Sequence, residues 1–346
     1  MRALLKLCIV IGVIFVGYYY GPSIMSRLSE EIDKAEQKQV QPEKPVVENE
    51  EMKRADASTL HTAIGLTKEE VIQQFGQPSA TYPSAYEYEW WTYQGNEYYI
   101  QLGLLGNKVV TGYALGNHAR MAPFASGKTY EELNAMYSFQ KKVQFSHRGN
   151  KYGVELTDAD VIERPIIEKD GVWIQLYIDR PTGKLSSVRY MDAETFIKMR
   201  SYAFTYTGKL PTPKTLSAEE QKRVDDGDAK QILDVTNMIR KRHQLSVLKW
   251  NDKASHVAYL HSKDMKDNTF FAHESPTTGE LKDRLQRGNV SYRSAGENIA
   301  YNYTDGIAAV EAWMNSEGHR KNMVQPAFKS LGVGVDQKYY TQNFIQ

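Results

Sequence analysis

Three polar residues in the C-terminal third of the chain, His273, Glu297 and His319, are of the types that do chemistry near neutral pH. A histidine offers a neutral nitrogen ligand or a proton shuttle. A glutamate beside it can orient the ring, raise its pKa or complete a metal site. Ser275 and Ser316 supply hydroxyls that an imidazole–carboxylate pair could activate as nucleophiles. Spacing alone does not choose among these chemistries, because the two histidines lie far apart and carry no local zinc signature such as H-E-x-x-H.

These residues must be positioned by the elements around them. An apolar stripe of Ile232, Val235 and Ile239, with Leu233 beside it, predicts a helix over about 229–242. A second helix begins after Asn251 or Asp252, either of which can cap it. Its buried stripe holds Ala254, Val257, Ala258, His261 and Met265, so His261 reads as a hydrogen-bonded core histidine. Trp313 reads as core, Asn298 and Arg320 as loop anchors, and Gly332 and Gly334 as points of close backbone approach within a strand. The run GVGVDQ has no third glycine and no helix start, so it is not a dinucleotide fingerprint.

Several stretches then recur in a characteristic order. They are Asn237-x-x-Arg240, Leu248-x-Trp250, His261-Ser262-x-Asp264-Met265 and Phe270-Phe271-Ala272-His273-x-Ser275-Pro276. Gly296-Glu297-Asn298-Ile299, Trp313-Met314-Asn315-Ser316-x-Gly318-His319-Arg320-x-Asn322, Leu331-Gly332-Val333-Gly334 and Tyr340-Thr341-Gln342-x-Phe344 follow. This third of the chain resembles the bacterial branch of the CAP superfamily: cysteine-rich secretory proteins, antigen 5 and pathogenesis-related proteins. The resemblance implies an α/β/α sandwich around an antiparallel sheet. It also implies a cleft lined by two histidines and two glutamates, which in several members holds a divalent metal such as zinc.

His273 matches the first family histidine and Glu297 the first glutamate. Ser316 stands where the second glutamate is expected and Tyr339 where the second histidine is expected. His319 is then the replacement imidazole. The candidate cleft set is His273, Glu297, His319, Ser316 and Tyr339, with His273 and His319 as candidate metal ligands. Two function classes fit it. One is a non-catalytic binding module for a lipid, peptide or cell-wall component. The other is an extracytoplasmic hydrolase in which His273 or His319 is the base, Glu297 orients it, and Ser316 or Ser275 attacks.

Upstream, the sequence repeats. G-L-T-K-E-E-V begins at Gly65 and G-K-T-Y-E-E-L at Gly127, each with a threonine placed to cap a helix. Downstream, Tyr98-Tyr99-Ile100-Gln101-Leu102 echoes Val172-Trp173-Ile174-Gln175-Leu176. These echoes predict an α+β domain of two similar helix-plus-sheet units, and the segment resembles the CAP-associated domain found ahead of some bacterial CAP domains. The eight aromatics between Tyr82 and Tyr99 either fill a sheet face or offer a stacking surface for wall glycan.

The 346 residues accommodate two domains and tethering segments. The division expected is a membrane anchor or signal segment at 1–25, a solvated spacer at 26–58, the α+β domain at 59–204, a linker at 205–226 and the CAP domain at 227–346. Residues 4–20, LLKLCIVIGVIFVGYYY, are apolar but for Lys6 and are preceded by Arg2. That reads as an uncleaved single-pass anchor with the C-terminal part outside, or alternatively as a cleaved signal peptide. The membrane is therefore an expected partner. With 43 basic and 42 acidic residues, no phosphate-binding surface is indicated and nucleic acid is not expected. Cys8 is the one cysteine, so an intrachain disulfide is impossible.

Overall fold

Thr67 and Thr129 begin the two halves of the first domain with the same device. The computed structural model describes residues 59–346, which cluster as one compact unit. The anchor or signal segment and the spacer lie outside the described residues. After a short α1 (Leu60–Ala63), the Thr67 hydroxyl accepts from the Glu70 N–H while the Glu70 carboxylate accepts from the Thr67 N–H, closing the start of α2 (Lys68–Phe75). Thr129 and Glu132 make the same reciprocal pair at α3 (Tyr130–Tyr137). Each threonine also bridges the hairpin that follows it, Thr67 with Lys108 and Thr129 with Lys184.

The strands carry the repeat further. β1 (Ala80–Pro83), β2 (Glu89–Gln94), β3 (Tyr98–Leu105) and β4 (Lys108–Gly116) belong to the first half. The second half contributes β5 (Lys142–His147), β6 (Asn150–Glu155), α4 (Asp158–Glu163), β7 (Ile166–Lys169), β8 (Val172–Asp179), β9 (Lys184–Met191), α5 (Ala193–Met199) and β10 (Ala203–Thr207). One antiparallel sheet runs β1-β2-β3-β4-β9-β8-β7, so the two halves join where equivalent strands β4 and β9 pair. The β3–β4 and β8–β9 hairpins each carry a register shift at the matching place, Gly103/Leu104 and Tyr177/Ile178. The small sheet β10-β6-β5 belongs to the second half alone. The aromatics of 82–99 mostly fill the sheet: Tyr86, Tyr88, Trp90, Trp91, Tyr93 and Tyr99 are all buried, which removes them as a glycan surface.

The first helix of the second domain begins ahead of its apolar stripe. α6 spans Ala218–Arg242, started by a Ser217–Glu220 capping box. Its charged first turns are helical because Gln221 donates to Asp225 and Lys222 pairs with Asp226 across one turn. β11 (Lys249–Trp250), α7 (Asp252–Asp267), α8 (Leu281–Arg287), β12 (Ala295–Tyr301), α9 (Gly306–Met314), α10 (Glu317–Met323), β13 (Ser330–Asp336) and β14 (Tyr339–Ile345) complete it. The sheet order is β11-β13-β14-β12, antiparallel throughout except that β11 runs parallel to β13.

Helix α7 lies on one face of this sheet, where glycine is required. A Cβ at Gly332 would sit 2.2 Å from the backbone of Ala254, and one at Gly334 would sit 1.9 Å from the Tyr259 nitrogen. Helices α6 and α9 cover the other face, giving the α/β/α sandwich. Helix α9 is buried along nearly all its length because it also packs on the first domain's sheet. There Arg189 holds Asp305 at 2.6 and 2.9 Å, and Glu311 accepts from Tyr113 and Ser187 at 2.5 Å each. Trp90, Tyr99 and Tyr113 share one apolar core with Ile232, Val235, Val310 and Trp313.

Candidate functional site

Glu297 is the hub of the candidate site. It sits on edge strand β12, and its carboxylate is almost wholly buried. His273 arrives from the loop after α7, placing Nδ1 2.9 Å from Glu297 Oε1. Arg284, on α8, donates to Glu297 Oε2 at 2.6 Å and also to the His273 and Gly279 carbonyls at 2.9 and 2.7 Å. The guanidinium therefore holds both the carboxylate and the loop that carries the histidine. Burial pushes the Glu297 carboxyl up, but the His273 hydrogen bond and the Arg284 charge outweigh it and hold it below its ordinary value. An ionised Glu297 accepts, so His273 donates from Nδ1, which makes Nε2 the acceptor of the ring's neutral form.

His319 stands on the N-terminal turn of α10, its ring centroid 6.4 Å from that of His273. Burial, and then the neighbouring His273, lower its pKa and favour the neutral ring. Its carbonyl accepts from Asn298 at 3.2 Å, and Asn322 ties the Glu297 carbonyl and the Asn298 amide together at 3.1 and 2.9 Å. His261 lies beneath, fully buried, with Nε2 3.1 Å from the Ala272 carbonyl and 3.9 Å from Glu297. Burial lowers its pKa, so it supports the floor as a neutral core ring.

The three other candidates, Ser275, Ser316 and Tyr339, stand in a turn, at the start of α10 and on β14. Ser275 is buried, donates to Asp264 at 2.5 Å and accepts the Thr277 and Thr278 N–H groups, so it pins a turn and has no free hydroxyl to attack with. Ser316 is the N-cap residue of α10 without a side-chain cap bond. Among the described residues neither serine is hydrogen-bonded to an imidazole. Tyr339 packs against Tyr301 with the rings tilted and their centroids 4.5 Å apart, at the far end of the row in which Glu297, Ile299 and Tyr301 share one face of β12. Phe271 continues this patch, 6.0 Å from Tyr301, and both rings are about half exposed, at 50% and 48%.

Arg284 was not legible as a site residue from motif spacing. Its signal is an arginine on the apolar row Leu281–Arg284–Leu285–Gly288, where a charge is buried only if paired. Asn315 was likewise seen only as a motif letter.

The donors do not fit a resident divalent ion. One imidazole nitrogen of His273 and both oxygens of Glu297 are already engaged, by each other and by a cation, Arg284. The remaining two family positions hold Ser316 and Tyr339, so the set falls short of the three or four ligands a zinc site needs. Among the described residues no group of three or more His, Cys, Asp or Glu side chains is placed to hold a metal.

A sandwich with an imidazole–carboxylate cleft, docked on a duplicated helix-and-sheet domain, defines a two-domain CAP architecture. Residues 64–202 match the CAP-associated N-terminal family and 233–346 match the cysteine-rich secretory protein family, and the chain belongs to this CAP family. It is 43% identical, over its whole length and 98% of the relative, to the uncharacterized membrane protein YlbC of Bacillus subtilis. Uncharacterized protein YkwD of the same organism is 35% identical over 168 residues, covering 48% of this chain and 62% of YkwD. Among solved structures, an extracellular protein containing an SCP domain from Bacillus anthracis superposes with a TM-score of 0.81 at 42% identity, covering 89% of this chain and 99% of that one. A cysteine-rich secretory protein from Staphylococcus aureus shares the fold, with a TM-score of 0.73 at 23% identity over 84% and 96%.

Proposed function

We propose that this protein is an exported, surface-tethered binding module whose CAP cleft takes a cell-wall fragment, glycan or peptide. The observation that carries the reading is the His273–Glu297 pair. It fixes a histidine, 56% exposed, whose Nε2 is the acceptor of its neutral form, beside His319, a ring whose neutral form burial favours. Hydroxyl- and amide-rich polymers donate to such acceptors. The Phe271–Tyr301–Tyr339 patch, about 13 Å along β12 from Glu297 at 3.3 Å per residue, offers rings for a sugar or peptide to lie against. Surface placement is supported by the names of the full-length relatives, a membrane protein and an extracellular protein. The apolar run at 4–20 would supply the tether.

The test is binding of muropeptides, made by lysozyme digestion of wall, to the purified protein by calorimetry. His273→Ala and His319→Ala should each weaken uptake by on the order of tenfold or more, the loss of one hydrogen-bonding anchor, with cooperative unfolding preserved. No uptake by the parent protein overturns the reading. A hydrolytic reading draws on the same pair, with His273 Nε2 as base toward water and no serine in the step. New cleavage products in the muropeptide mixture, lost in His273→Ala, would establish it instead.

A further inference from the structure

The turn that carries His319 is gripped by the other domain. Asn315, between α9 and α10, sets its side-chain amide against the end of β8 as a strand would: Nδ2 donates to the Ile178 carbonyl at 2.9 Å, and Oδ1 accepts from the Arg180 N–H at 3.0 Å. Five residues on, the Arg320 guanidinium forks onto the Asp179 carboxylate between those two contacts and also donates to the Met314 carbonyl at 3.0 Å. His319 is adjacent to Arg320 and lies between the two anchors. Its only described tie to the CAP sheet on this side is the Asn298 bond to its carbonyl. The helix leading into the turn is held on the same domain at Asp305 and Glu311.

We propose that Asn315, Arg320 and Asp179 are positioning residues for His319, so that the helix-and-sheet domain sets the spacing of the two imidazoles in the CAP cleft. The proposal rests on the binding reading for its purpose, but the geometry it asserts stands apart from any ligand. Both anchors are side-chain-to-domain contacts spanning more than 130 residues of chain, and they flank His319, Asn315 at the end of α9 and Arg320 within α10. A domain serving only as a spacer would need neither. Loosening them leaves α10 held by Asn298, Asn322 and the Arg240 bond to the Met323 carbonyl, so the far end of the helix stays in place while the turn ahead of His319 opens locally.

The experiment measures diethyl pyrocarbonate modification of His319 and His273 separately, by mass spectrometry, in the full chain. Asp179→Asn and Asn315→Ala should raise the His319 rate on the order of tenfold, as expected when local opening governs access, while His273 changes little. Arg320→Lys, which keeps a charge but not the fork, should give an intermediate rise. Leu133→Ala, which opens the first domain's separate core, serves as the control for general destabilisation. The proposal is overturned if His319 reactivity stays at the parent rate in Asp179→Asn and Asn315→Ala. It is equally overturned if Leu133→Ala, at a matched loss in melting temperature, raises it as much. Because the readout needs no ligand, a cleft that binds no muropeptide leaves this outcome decisive.

Discussion

His273 and Arg284 take opposite oxygens of one buried carboxylate, Glu297, at 2.9 and 2.6 Å. The exposed ring is thereby coupled to a guanidinium that is itself almost fully buried. Removing the carboxylate charge therefore does more than release a histidine. It leaves Arg284 as an uncompensated buried cation.

Glu297→Gln should accordingly cost about 3 kcal/mol at neutral pH, the usual penalty for orphaning one member of a buried pair. The pH dependence follows in sign. Glu297 is held below its ordinary 4.5, so its contribution is complete above that value and is lost as pH falls through the lower folded value. Urea titrations should show the gap between parent and Glu297→Gln narrowing on acidification. A constant gap from neutral pH down to the acid unfolding range would contradict the pairing.

The histidines make a second acid-side prediction. Burial lowers His261, His319 and His243 from 6.5, with the His273 charge adding to the effect at His319 and Arg320 at His243. Between the folded and ordinary values the unfolded chain binds more protons, so stability is full above 6.5 and declines as pH falls through that window. His319→Gln should flatten part of this slope. Measuring melting temperature against pH checks it, and an unchanged slope would mean that His319 titrates as it does in the unfolded chain.

How much of this was readable beforehand depends on the residue. The threonine caps of α2 and α3, the α7 stripe with His261 and the glycines of β13 are local features, and local chemistry wrote them into the sequence at short spacing. Helix α6 begins ahead of its apolar stripe, because Glu219 to Asp226 has no such stripe of its own. That stretch is helical through a capping box and side-chain pairs one turn apart. Arg284 and Asn315 were out of reach for a different reason. Their partners, Glu297 and the Ile178–Arg180 backbone, are brought to them only by the tertiary fold and by domain docking.

Two glycines give opposite outcomes. Gly334→Ala would drive a methyl against the backbone of Tyr259 and Ala258, at 1.9 and 2.3 Å, and backbone cannot step aside. It should cost about 3 kcal/mol or more, at the upper end of overpacking penalties. Gly318, inside α10, has nothing within 4 Å of an added Cβ. Gly318→Ala should stabilise by up to about 1 kcal/mol through helix propensity. Chemical denaturation of both variants checks the pair, and a stable Gly334→Ala protein would mean that α7 sits farther from β13.

The domain contact itself can be tested at Arg189 and Asp305. Their forked pair is buried from both sides, with Arg189 fully enclosed and Asp305 also capping α9 through its 3.0 Å bond from the Ala308 N–H. Asp305→Asn keeps the cap but strips the charge, leaving the guanidinium alone in the interior. It should cost about 3–5 kcal/mol. Arg189→Met in the same chain removes the stranded cation and substitutes an apolar side chain beside Met199, which already contacts the guanidinium. The double variant should therefore recover much of the loss, making the two changes strongly non-additive. Calorimetry should further show one transition for both domains, since Trp90, Tyr113, Val310 and Trp313 share a single core. Two separate transitions, or a double variant as unstable as the sum of the singles, would mean that the pair lies on the surface of independent domains and does not bind them into one.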